Sequence, residues 1–171
     1  MRRALDFIYD TSAWLAGLSM LAILVVTLIQ VLGGVSDIFV RGTDAYAGYA
    51  MAAASFFALA HTLKRGEHIR VTLIIQRLPM ATRRVMEIIC LGVAVLMSGF
   101  FAWYAWDMVY WSWEFESRSD AMDASPLWIP QLAMSIGVTV LCVAFVDEFV
   151  QVLGGREIRE SDLSADQQHT E

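Results

Sequence analysis

Four stretches of this chain carry no charged residue, residues 11–36, 45–63, 88–106 and 124–146, with 26, 19, 19 and 23 residues respectively. A helix needs roughly 20 mainly apolar residues to cross the hydrocarbon core, so each stretch is long enough, the middle two only just. In lipid every backbone N–H and C=O must be satisfied within the segment, which restricts such stretches to helices. The fold class expected is therefore an all-α integral membrane protein with four transmembrane helices, over about residues 12–35, 45–63, 87–107 and 126–148. With 171 residues and 57% apolar composition, the chain has material for one membrane domain, residues 1–153, and a polar tail, residues 154–171. That tail has few apolar residues and is expected to be cytoplasmic and disordered.

Orientation follows from Lys and Arg, which are retained on the cytoplasmic side. Arg2 and Arg3 precede the first stretch, six basic residues from Lys64 to Arg84 separate the second from the third, and Arg156 and Arg159 follow the fourth. Only Arg41 and Arg118 fall in the other two connections. Ten against two predicts both termini and the central connection in the cytoplasm. Asp6 and Asp10 interrupt the amino-terminal region and the apolar run exceeds a signal-peptide core, so the first stretch is expected to remain as an anchor. Cys90 and Cys142 lie within spans and read as ordinary packing residues.

The second stretch differs from the others in being built of small residues. Gly48 with Ala52, and Ala50 with Ala54 and Ala58, recur every four residues and so line helix faces that another helix can approach closely. This helix is expected to be the buried one. Residues 66–84 read as an amphipathic segment lying in the cytoplasmic headgroup layer between helices 2 and 3, with Arg70 and Arg77 on one face directed at membrane lipid. Trp103, Trp106, Trp111 and Trp113 crowd the outer end of the third span and Trp128 opens the fourth, the pattern of an interfacial aromatic belt. Residues 114–123 form an acidic outer connection, and Pro126 and Pro130 suit a helix entry, where missing N–H groups cost little.

Several chemistries have no support. His61, His68 and His169 are the only histidines, and the first two flank one helix end seven residues apart, about 10 Å of rise, unsuited to clamping one haem iron from opposite faces. No span interior carries the ionisable group that a self-sufficient carrier would place at mid-membrane. No phosphate-binding loop, nucleophile elbow or zinc-spaced ligand set is present, so the expectation is no enzyme, no cofactor, no metal and no nucleic-acid partner.

The stretch Lys64-Arg65-Gly66-Glu67-His68-Ile69-Arg70-Val71 resembles the basic-Gly-x-His-Ile-x-Val segment of the small membrane subunit of tripartite ATP-independent periplasmic (TRAP) transporters, the DctQ-like family. Asp44 matches an acidic position near the start of that family's second helix, and Arg41 a basic one just upstream. The resemblance extends over roughly residues 5–153. Two departures mark a divergent subgroup: Ala45 follows Asp44 where a second carboxylate is common, and Thr72 stands where Asp often follows the histidine segment.

The resemblance implies a three-part system in the bacterial inner membrane. A periplasmic solute-binding protein captures an organic anion or related solute, a large TRAP membrane subunit moves it with a sodium gradient, and the small subunit is a fixed scaffold for the large one. Arg41, Asp44, Lys64, Arg65, Gly66, His68, Ile69 and Val71 are then family-motif residues with structural roles. The alternative from the residues alone is a stand-alone small transporter or channel acting as a homo-oligomer.

Overall fold

In the computed structural model, which describes residues 2–36, 42–65, 80–120 and 124–154, the chain forms four helices: α1 (Arg2–Val35), α2 (Thr43–Arg65), α3 (Met80–Glu114) and α4 (Trp128–Leu153). Three contain segments long and apolar enough to cross a membrane, Phe7–Val35, Arg84–Glu114 and Trp128–Leu153. The second helix, 23 residues long, is not among them, because its small and polar residues dilute its apolarity.

Two helices extend beyond the expected spans. Charge is costly in lipid but is tolerated in a helix outside it, so α1 begins at Arg2 and runs through Asp6 and Asp10, and at its far end it passes Gly33 and Gly34 unbroken to Val35. Likewise α3 continues past Asp107 to Glu114. Its start falls within the expected interfacial segment: residues 80–84 are helical and continuous with the span, as suits Met80, Ala81, Arg83, Arg84 and Met86, all strong helix formers. The rest of that segment, residues 66–79, lies outside the described residues, as do Arg41 and residues 155–171. In α4, Pro130 occupies the third position, where no intrahelical donor is required.

The helices pack as a row rather than a closed bundle. Helix α1 lies on α2, α2 on α4 and α4 on α3, with α1 touching α4 only slightly. The inner pair, α2 and α4, runs parallel, and each outer helix is antiparallel to its neighbour. One end of the row, the termini end, holds the start of α1 and the end of α4; the other holds the hairpin joining α3 to α4.

Each helix supplies a narrow inward stripe. On α1, Tyr9, Ser12 and Ala16 are buried, spaced by three and four residues, while Trp14, Leu18, Leu21 and Leu24 stay exposed. On α3, Leu91, Ser98, Ala105 and Ser112 are buried at intervals of seven, with Val109 beside them. A seven-residue period keeps a helix seam facing a slowly wrapping neighbour. Near the termini end Tyr9, Ala60, Leu63 and Ala144 cluster, backed by Leu5, Leu141 and Phe145, and join three helices.

The closest approach is between the inner helices at Gly137. A Cβ there would lie 2.7 Å from Phe56 Cβ and 2.8 Å from its carbonyl carbon, so only glycine permits this separation. Ser135 and Val138, both essentially fully buried, flank the contact. Ser135 satisfies its hydroxyl within α4, donating to the Gln131 carbonyl at 2.9 Å. Because a backbone cannot rotate away as a side chain can, Gly137→Ala must separate the two helices, an overpacking cost of about 1–3 kcal/mol. The thermal midpoint of the detergent-solubilised protein is expected to fall by several degrees. Gly99→Ala, whose Cβ would sit an ordinary 3.8 Å from Cys142 Sγ, should leave it unchanged.

Candidate partner face and hairpin latch

The row leaves one face of α2 uncovered. Asp44, Gly48, Met51 and Ser55 are all exposed, and their spacing of four, three and four residues places them on a single face. A Cβ built on Gly48 meets nothing within 4 Å. Ser55 turns its hydroxyl inward to the Met51 carbonyl at 2.9 Å, so between Asp44 and Ser55 only the Met51 side chain projects far from this face. On the opposite side Phe57, Ala60 and Leu63 are buried against the neighbouring helices.

The small residues singled out in the sequence are thus distributed around α2. Ala50, Ala52, Ala54 and Ala58 are half-buried and Gly48 is exposed. The side chains closing the contact within the chain are instead Phe57, Ala60 and Leu63, with Phe56 under Gly137. A four-residue repeat in so Ala-rich a helix marks several faces at once, whereas the buried run at 57, 60 and 63 includes two large residues that a search for small ones passes over. Of the motif residues, Asp44 stands exposed in the first turn of α2, where a carboxylate stabilises the positive end of the helix dipole, and Lys64 and Arg65 close the same helix. Gly66, His68, Ile69, Arg70, Val71 and Arg77 lie outside the described residues.

At the hairpin end, α2 is joined to the α3–α4 connection by a polar latch. Tyr49 donates its hydroxyl to Ser119 Oγ at 2.9 Å, and Ser125 Oγ donates to the Tyr49 oxygen at 3.3 Å. Both serines belong to a short antiparallel pairing in which Ser119 N–H donates to the Ser125 carbonyl at 2.8 Å and Leu127 N–H to the Ser117 carbonyl at 3.0 Å. Glu116 and Ala124 adopt positive φ, 46° and 48°, to complete the turns. Non-glycine residues enter that region at a cost of about 1–2 kcal/mol each, so the hairpin is held by these bonds rather than by its own preference.

Aromatic residues surround the latch. Trp113 packs edge-on to Trp128 with ring centroids 4.9 Å apart, and Trp111 stacks on Phe115 at 5.4 Å. Two turns deeper, Trp106 Nε1 donates to Thr139 Oγ1 at 3.0 Å, and the Thr139 hydroxyl in turn donates to the Ser135 carbonyl at 2.7 Å. Trp106, Trp113 and Trp128 therefore tie α3 to α4, and Trp106 and Trp113, like Trp103 and Trp111, still keep much of their surface exposed.

This architecture of long apolar helices agrees with the comparison to known families. The model of the DctQ component of tripartite ATP-independent periplasmic transporters matches residues 23–155. The chain belongs to that family. It is a TRAP transporter small permease, a transporter component and not an enzyme, and a membrane protein. No individually curated protein matches it. The matched region takes in residues 23–35 of α1, all of α2, α3 and α4, and hence both the uncovered face and the latch of this small permease.

Tyr49→Phe removes one hydroxyl from the latch and leaves the ring in place. A hydrogen bond of this kind contributes about 1 kcal/mol net, so the Ser119 and Leu127 amides should exchange with solvent roughly fivefold faster in the variant. Unchanged exchange at both amides would contradict the latch.

Proposed function

We propose that this small permease is the fixed scaffold of a TRAP-type secondary transporter and that the uncovered face of α2 receives the large membrane subunit. The large subunit moves an organic anion or related solute, delivered by a periplasmic binding protein, using the energy of a sodium gradient. The observation that carries this reading is the state of α2. It is central in the row yet too polar to be counted among the spanning helices, and still it shows an open face of Asp44, Gly48, Met51 and Ser55. Lipid tails reward neither small nor polar surface, whereas a second helix packs closely on small residues and satisfies polar ones. A protein partner therefore suits this face better than lipid does.

The scaffold role also agrees with what the spans lack. Residues 11–36, 45–63, 88–106 and 124–146 carry no charge from which to build a substrate or ion path. On the charge distribution, the termini end of the row faces the cytoplasm and the latch and aromatic residues face the periplasm, where the binding protein docks.

Two measurements test the proposal. Proteoliposomes containing this chain alone should show no sodium-driven uptake, and uptake should appear when the large subunit and binding protein are added; uptake by the chain alone would favour the self-contained transporter. Gly48→Leu fills the open face without touching the chain's own packing. It is expected to leave the thermal midpoint unchanged and to weaken capture of the large subunit about tenfold, the scale of an overpacked contact. Undiminished capture would place the partner elsewhere.

A further inference from the structure

The registers of the four helices carry an inference about how the row sits in the bilayer. Helix α4 meets α2 at Gly137 and Phe56, which brings Ser135 level with Ala54; these are the midpoints of the charge-free stretches 124–146 and 45–63. The inner helices therefore share one apolar centre.

The outer helices do not share it. Against α4, the contacts Gly92–Phe149 and Gly99–Cys142 fix an antiparallel register in which Ser135 is level with Trp106, the last residue of the charge-free stretch of α3. The midpoint of that stretch, Met97, lies nine residues away, about 13 Å toward the termini end. Against α2, the packing of Tyr9 on Ala60 and Leu63 displaces α1 the opposite way. The midpoint of residues 11–36 lies about 10 Å beyond Ala54 toward the hairpin end.

An upright row would therefore leave two apolar helix ends in water. The far end of α1, with Leu28, Leu32 and Val35 exposed, would project at the hairpin side, and the near end of α3, with Val85, Ile89 and Val93 exposed, at the other. Tilting all four helices within the plane of the row removes both mismatches at once. We propose that the row lies obliquely, with its lipid-facing belt running diagonally from the Leu32 end of α1 to the Ile89 end of α3. A total offset of about 23 Å across three helix spacings of 8–10 Å corresponds to a tilt of roughly 40°, at the upper end of what spanning helices adopt. The large α1 and α3 lengths, 34 and 35 residues, suit that inclination. The oblique seating depends on the chain's own packing and not on any partner.

Depth measurements separate the two placements. Nitroxide labels at Leu32→Cys and Ile89→Cys, in a full-length chain with Cys90 and Cys142 replaced by Ala, would be placed in lipid nanodiscs and their collision rates with oxygen and with a water-soluble nickel chelate measured. Both sites are well exposed, at 63% and 59%, so labels there leave the packing intact. Oblique seating puts each label about 10 Å from the bilayer centre and predicts that oxygen dominates at both. Upright seating puts each about 25 Å from the centre and predicts that the nickel chelate dominates. Nickel dominance at either site would overturn the proposal.

Discussion

Gly137 rests against the backbone of Phe56, and the two helices that meet there are the ones against which the other two pack. Helix α1 reaches the rest of the protein mainly through α2, and α3 mainly through α4, so the spacing of the inner pair sets the width of the whole row. Nothing but glycine fits at 2.7 Å from a neighbouring Cβ. In a bilayer this closeness matters more than in water, because lipid tails give helices no hydrophobic reason to associate and short-range packing has to hold them. The fully buried Ser135 and Val138 beside the glycine show the same economy, a small polar group satisfied within its own helix and a compact branched one filling the remaining space.

From that contact the arrangement divides into two kinds of surface. The outer sides of α1 and α3 carry large apolar residues suited to lipid. The open side of α2 carries Gly48 and Ser55, suited to another helix. At the hairpin end Tyr49 converts the inner pair's geometry into loop geometry, since its hydroxyl reaches the two serines that close the hairpin. A rigid row with one receptive face is what a fixed scaffold subunit requires, and the absence of charge within residues 11–36, 45–63, 88–106 and 124–146 fits a subunit that supports movement by its partner rather than carrying the solute.

How much of this was legible in the sequence depended on the kind of signal. Charge-free length revealed the four described helices, three of them long and apolar enough to cross a membrane, because the cost of burying charge is large and acts at every position of a span. Their ends were less legible: Asp10 and Asp107 end a charge-free stretch but not a helix, so α1 and α3 extend well beyond the charge-free residues. The family was legible from Asp44 and the segment beginning at Lys64. Packing faces were harder to read. Alanines at 50, 54 and 58 suggested a seam, yet the chain's own seam on α2 runs through Phe57, Ala60 and Leu63. The seven-residue series continuing from Leu91 through Ser98, Ala105 and Ser112 was present in the sequence as three small residues set among bulky ones, and that contrast was its available signal. Gly137 and Tyr49 gave none, because each acts through a residue far away in sequence.

The central claim is that this small permease is one part of a larger membrane assembly. The most direct test is native mass measurement of the complex purified from its own membranes through a tag on this chain. The account predicts a particle containing this chain and one large polytopic subunit in equal number. A particle made only of copies of this chain, under conditions where a control membrane complex survives, would contradict it.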